Sequence, residues 1–157
     1  MIRYLIWGII AGTALLAGFT IYLFRSGWAF RARESDGTLK GSQDLKGKCI
    51  LFLSLLCMVA FLVVLDAISF HGKETSFQHV LFFNSLVFGG LMLIDALLID
   101  LLVLGYWKPA FLRIPETVTF RSMARHVAFQ LSIGWLVAAG IVTLSASLFL
   151  LLQKYCT

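Results

Sequence analysis

Four apolar stretches, at about residues 3–24, 49–69, 80–104 and 127–152, set the terms on which this 157-residue chain can fold. Crossing a hydrocarbon core of about 30 Å takes about 20 helical residues, and each stretch is long enough. Backbone surrounded by lipid must satisfy its own polar groups, so apolar runs of this length become helices. Composition agrees, since 60% of the residues are hydrophobic and 13% are charged, against about 25% charged in soluble domains. The connections are too short to hold a separate soluble core. The expectation is one all-α membrane domain over residues 1–157, a bundle of four transmembrane helices embedded in a lipid bilayer.

The placement of basic residues orients the bundle. Of the 13 Lys and Arg residues, Arg25, Arg31, Arg33, Lys40, Lys46 and Lys48 lie in the first connection and Lys108, Arg113, Arg121 and Arg125 in the third. Arg3, Lys73 and Lys154 lie on the other side. Cytoplasmic loops concentrate positive charge, so loops 25–48 and 105–126 are expected inside, with loop 70–79 and both termini outside. The net charge of +5 is thereby explained by topology and anionic head groups, and no nucleic-acid partner is expected. The setting implied is the cell inner (plasma) membrane. The first stretch is too long for a signal-peptide core and is followed by a basic cluster, so it is kept as a helix.

Small residues recur one turn apart in helix 1 (Gly8 and Gly12, Ala14 and Gly18) and helix 4 (Gly134 and Ala138). Such spacing lets backbones approach where lipid gives no hydrophobic drive to associate, and packing within the chain is favoured over a dimer interface. Cys49, Cys57 and Cys156 form no motif, and Cys156 lies too far from the others for a disulfide. In the first loop, Trp28 and Phe30 among arginines suggest an interfacial anchor.

Polar residues within the spans carry the functional information, because a carboxylate at bilayer depth costs roughly 2.5–3.5 kcal/mol and demands a partner or a proton. Asp66, Asp95 and Asp100 qualify. By depth, Asp66, Asn84, His71 and His79 group near the outer face, and Asp95, Asp100, Arg125, His126 and Gln130 near the inner one. At about 100° per residue, Asn84 and Asp95 fall within about 20° of one face, whereas Asp95 and Asp100 lie about 140° apart. A tight carboxylate pair is therefore disfavoured unless the helix end unwinds. Asp95 is expected to face the bundle and pair with Arg125 or Gln130. Asp100 should reach the inner boundary, where it can pair with Lys108. Asp66, Asn84 and Gln130 are assigned structural polar roles. Asp66, His71 and His79 match no metal motif, a haem between His79 and His126 fails on depth, and neither metal nor cofactor is expected.

Tyr106 and Trp107 suit the aromatic belt. Pro109 and Pro115 interrupt the helix, and the apolar residues between them predict an interfacial segment on the inner surface or dipping against the bundle. An acid-bearing apolar helix followed by Pro-x-Phe-x-x-Ile-Pro, here Asp95, Asp100, Pro109, Phe111, Ile114 and Pro115, resembles small multi-pass bacterial membrane proteins of unassigned activity. The resemblance spans residues 93–117 and implies a topology, not a reaction. Helix 1 lacks the glutamate of small multidrug exporters. The Asn-x-x-Asp context of lipoprotein signal peptidases is missing around Asp66, and only Cys156 is placed externally, where quinone-reducing thiol oxidases need a pair.

Three functions fit. The first is an accessory or interaction subunit that binds a membrane protein partner or forms a homo-oligomer. The second is a proton-coupled small transporter that uses Asp95 within an oligomer. The third is an enzyme acting on a lipid or polyprenyl phosphate at the inner leaflet, with Asp95, Asp100 and His126 as candidate catalytic groups and Arg113, Arg121 and Arg125 binding phosphate.

Overall fold

The computed structural model describes residues 2–25, 45–112, 114 and 119–156. Helix α1 (Ile2–Arg25) is followed by α2 (Leu45–Ser69) and α3 (Phe77–Ile94), which continues without a break into a π-helix (Asp95–Trp107). A single 3-10 turn (Ala110–Leu112) then leads to α4 (Phe120–Cys156). All four apolar stretches are helical and long enough to span a bilayer, the longest being Phe77–Trp107 and Phe120–Tyr155. The 37 residues of α4 extend about 55 Å at 1.5 Å per residue. That length exceeds the hydrocarbon core.

The helices alternate in direction. Gln153 of α4 donates to the Lys73 carbonyl at 2.7 Å, and Gly8 of α1 packs on Leu65 of α2. One end of the bundle, the terminal end, thus holds the start of α1, the turn between α2 and α3, and the end of α4. At the opposite loop end, Leu16 and Ala17 of α1 pack with Ile99, Leu104, Leu112 and Met123.

Because apolar side chains gain little by leaving lipid for protein, close packing holds the bundle. A Cβ on Gly12 would lie 2.6 Å from Leu91 Cδ1, and one on Gly8 would lie 2.5 Å from Leu65 Cδ2. These glycines are therefore filled by leucines of the same chain, whereas Gly18 faces open space. The main core joins α2, α3 and α4 through Leu62, Val80, Phe83, Val87, Leu91, Val142 and Ala146.

The loop end shows how the prolines act. Pro109 disfavours the right-handed helical region at its predecessor, and Lys108 leaves the π-helix in the left-handed one at φ 48°. Leu112 then turns inward to 2% exposure, so the proline segment dips against the bundle. Ile114 packs against the same cluster, while Arg113 and Pro115 lie outside the described residues, as does the Trp28 and Phe30 anchor. Thr119 starts α4 through a reciprocal cap: its Oγ1 accepts from Ser122 N at 3.2 Å, and its own N–H donates to Ser122 Oγ at 3.1 Å. This is a capping box with serine in the third position.

Candidate functional site at the loop end of the bundle

The π-helix changes the geometry of the two loop-end acids. In an α-helix, residues five apart diverge by about 140°, and one of the two carboxyls would face lipid. In a π-helix the i to i+5 hydrogen bond stacks such residues one turn apart. Asp95 and Asp100 are so placed, and their carboxyls lie within coulombic reach of each other. The burial pattern follows the wider turn: Ala96, Asp100 and Leu104 are buried, while Leu97, Leu98 and Leu102 are exposed. The separation expected from α-helical phase is thus corrected. The acids share a face because the helix widens, which spares either one from pointing into hydrocarbon.

Helix α4 supplies the other half of the site. Gln130 Nε2 donates to Asp95 Oδ2 at 3.0 Å, so Gln130 is one partner of Asp95 among those expected. One turn earlier, His126 Nε2 stands 3.7 Å from Asp100 Oδ2, and it also acts electrostatically on Asp95. His126 and Gln130 are four residues apart and share an α-helical face. Two π-spaced acids therefore oppose two α-spaced partners. The His126 side chain is 49% exposed and that of Asp100 11%, so the site opens at the loop end. Arg121 and Arg125 are exposed on the same early turns of α4. Leu97, Leu101, Leu102, Tyr106 and Phe120 line a shallow, open apolar groove of about 350 Å³.

A second polar cluster lies at the terminal end and joins three helices. Asn84 Nδ2 of α3 donates to Asp66 Oδ2 of α2 at 2.8 Å and to Ser145 Oγ of α4 at 3.3 Å. Ser145 in turn donates to the Val142 carbonyl at 3.0 Å. Asp66, Asn84 and Ser145 have no exposed surface. His71 and His79 do not join them: both are exposed, and His79 Nδ1 pairs with Ser76 Oγ at 3.1 Å. Among the described residues no group of three His, Cys, Asp or Glu side chains gathers to hold a metal ion.

The two clusters are separated by an apolar layer containing Val87, Leu91 and Val142. Eleven residues of α3 at 1.5 Å each put Asn84 and Asp95 about 16 Å apart along the axis. Both face α4. Ser145 escapes sequence reasoning because a serine in an apolar helix usually bonds its own backbone, which it also does here. The chain was compared with protein-family models, curated proteins and solved structures, and no match was found.

Proposed function

We propose that the chain is a small inner-membrane accessory subunit whose loop-end acids take up and release protons, acting with a larger membrane partner or as a homo-oligomer. The observation that carries this reading is the stacking of Asp95 and Asp100 on one π-helical face against Gln130 and His126. A π-turn inside a helix is rare and frequent at functional sites, and acids within a membrane span are expensive enough to mark a function. The partners suit proton exchange. An amide such as Gln130 donates to an ionised carboxylate and accepts from a neutral one, so Asp95 keeps a partner in either state. His126, half-exposed beside Asp100, connects that carboxyl to the surface. With the basic loops placed inside, the site exchanges protons with the cytoplasm.

The test begins with gentle purification in nanodiscs and mass spectrometry of whatever is retained. The assembly is then placed in vesicles containing a pH-sensitive dye. Wild type should dissipate an imposed pH gradient, and Asp95→Asn or Asp100→Asn should slow the dissipation at least tenfold. Equal rates for wild type and both variants would remove the proposal.

The apolar groove supports a second reading, in which an isoprenoid or acyl chain lies against Leu97, Leu101 and Phe120. Its phosphate would then meet Arg121 and Arg125, and Asp100 with His126 would serve as the acid-base pair. Retention of a polyprenyl phosphate by wild type but not by a double Arg121→Ala, Arg125→Ala variant would favour it.

A further inference from the structure

The terminal-end cluster has a hydrogen-bond imbalance that a single proton resolves. Both hydrogens of the Asn84 amide are committed, to Asp66 Oδ2 and Ser145 Oγ, and the Ser145 hydroxyl is committed to the Val142 carbonyl. Two buried acceptors, Asp66 Oδ1 and Asn84 Oδ1, are left without a donor. A third unpartnered oxygen, Ser69 Oγ, follows one turn later on α2, and a hydroxyl can rotate to suit its surroundings. Unsatisfied groups of this kind are expensive in a membrane interior, and an ionised carboxylate without a cation more so.

No cation in the described structure answers Asp66. Arg3, His71, Lys73, Glu74, His79 and Lys154, the charged and imidazole groups at this end, are all exposed. Among the described residues, none is paired with Asp66. Phe70 closes the end above, set edge-on to Phe83 at 5.4 Å and tilted against Phe149 at 6.0 Å.

We infer that Asp66 holds a proton on Oδ1 and donates it to Asn84 Oδ1, making the Asp66–Asn84 pair a proton-binding latch that ties α2 to α3 and α4. One proton converts the first orphan acceptor into a donor and supplies the second. It comes from water, no other bond changes, and the carboxyl becomes neutral, as its surroundings require. The pair becomes a doubly bonded acid–amide unit, with the second amide hydrogen free to hold Ser145. This site is separate from the loop-end acids and stands whether or not those exchange protons.

The experiment uses the full chain in nanodiscs at neutral pH, carrying Asp95→Asn and Asp100→Asn so that Asp66 is the one acid left in a described span. Infrared spectroscopy should show a protonated-carboxyl C=O stretch that disappears when Asp66→Asn is added and is unchanged when NaCl replaces choline chloride. If that background fails to fold, the difference spectrum of wild type and the single Asp66→Asn variant carries the same signature. Asp66→Asn retains both bonds as an amide pair, so its Tm should match wild type, whereas Asp66→Ala should lower it. Three results would overturn the inference: a carboxylate stretch for Asp66 at neutral pH, sodium-dependent loss of the protonated band, which would make this a metal-ion site, or an Asp66→Asn variant as unstable as Asp66→Ala.

Discussion

Replacing Asn84 with leucine tests how much the terminal-end cluster holds the helices together. Leucine keeps the branched outline of asparagine, and the substitution removes the two interhelical hydrogen bonds that the amide donates, at 2.8 Å to Asp66 and 3.3 Å to Ser145. Interhelical hydrogen bonds in membranes average about 0.6 kcal/mol and reach about 1.7. The shorter bond belongs near the upper figure and the longer near the lower. The sum is about 2 kcal/mol. Reversible unfolding in mixed micelles measures it, and a cycle with Asp66→Leu isolates the pair. Replacing one partner strands the other, whereas replacing both is nearly neutral. The double variant should therefore be more stable than the two single losses added together, by about 1–2 kcal/mol. A loss below about 0.5 kcal/mol for Asn84→Leu, or strict additivity in the cycle, would refute the view that these polar groups fasten the bundle.

Further expectations concern packing and the loop end. Gly12→Val drives a side chain into Leu91, which is fully packed, and should cost about 1–3 kcal/mol in the same assay. Gly18→Ala meets open space and should stay within about 0.5 kcal/mol of wild type. Thr119→Ala removes the cap of α4 and should cost about 1 kcal/mol, visible as faster amide exchange in the first turn of that helix. Gln130→Leu should destabilise by about 1 kcal/mol through the loss of its bond to Asp95. By contrast, His126→Ala, at a half-exposed pair, should change stability by less than about 1 kcal/mol.

The spans were legible in the sequence because lipid imposes a length and a polarity that few soluble segments meet. Depth alone put Asp66 with Asn84 and Asp95 with Gln130, since antiparallel helices bring residues of equal depth together. What escaped was the turn of the helix around Asp95 and Asp100. Phase arguments assume 3.6 residues per turn, and residues 93–107 are apolar on every side apart from the two acids, so no apolar periodicity within them discloses another value. The one clue was the five-residue spacing of the acids, out of phase for an α-helix and in phase for a π-helix. Leu112 was likewise hidden: two prolines announce a break, but only the packing of Ile99, Leu104 and Met123 around it turns that residue inward.

The two acid–amide pairs are alike in chemistry and opposite in access, and that contrast gives the bundle its polarity. In each, an amide on one helix donates to a carboxyl on another while its own carbonyl oxygen is buried without a donor, Asn84 Oδ1 at one end and Gln130 Oε1 at the other. An amide serves either protonation state, so what separates the pairs is the path of a proton to water. Asp66 has no exposed surface and lies beneath Phe70, whereas Asp95 neighbours Asp100, which meets the half-exposed His126. A change of pH on the loop side therefore acts on the acids that line the seam between the π-helix and α4. The terminal-end pair keeps its proton and its grip on three helices. Infrared spectra taken while loop-side pH is varied should show the bands lost in Asp95→Asn and Asp100→Asn responding, while the band lost in Asp66→Asn holds. An equal response at both ends would show that the two pairs are not functionally distinct.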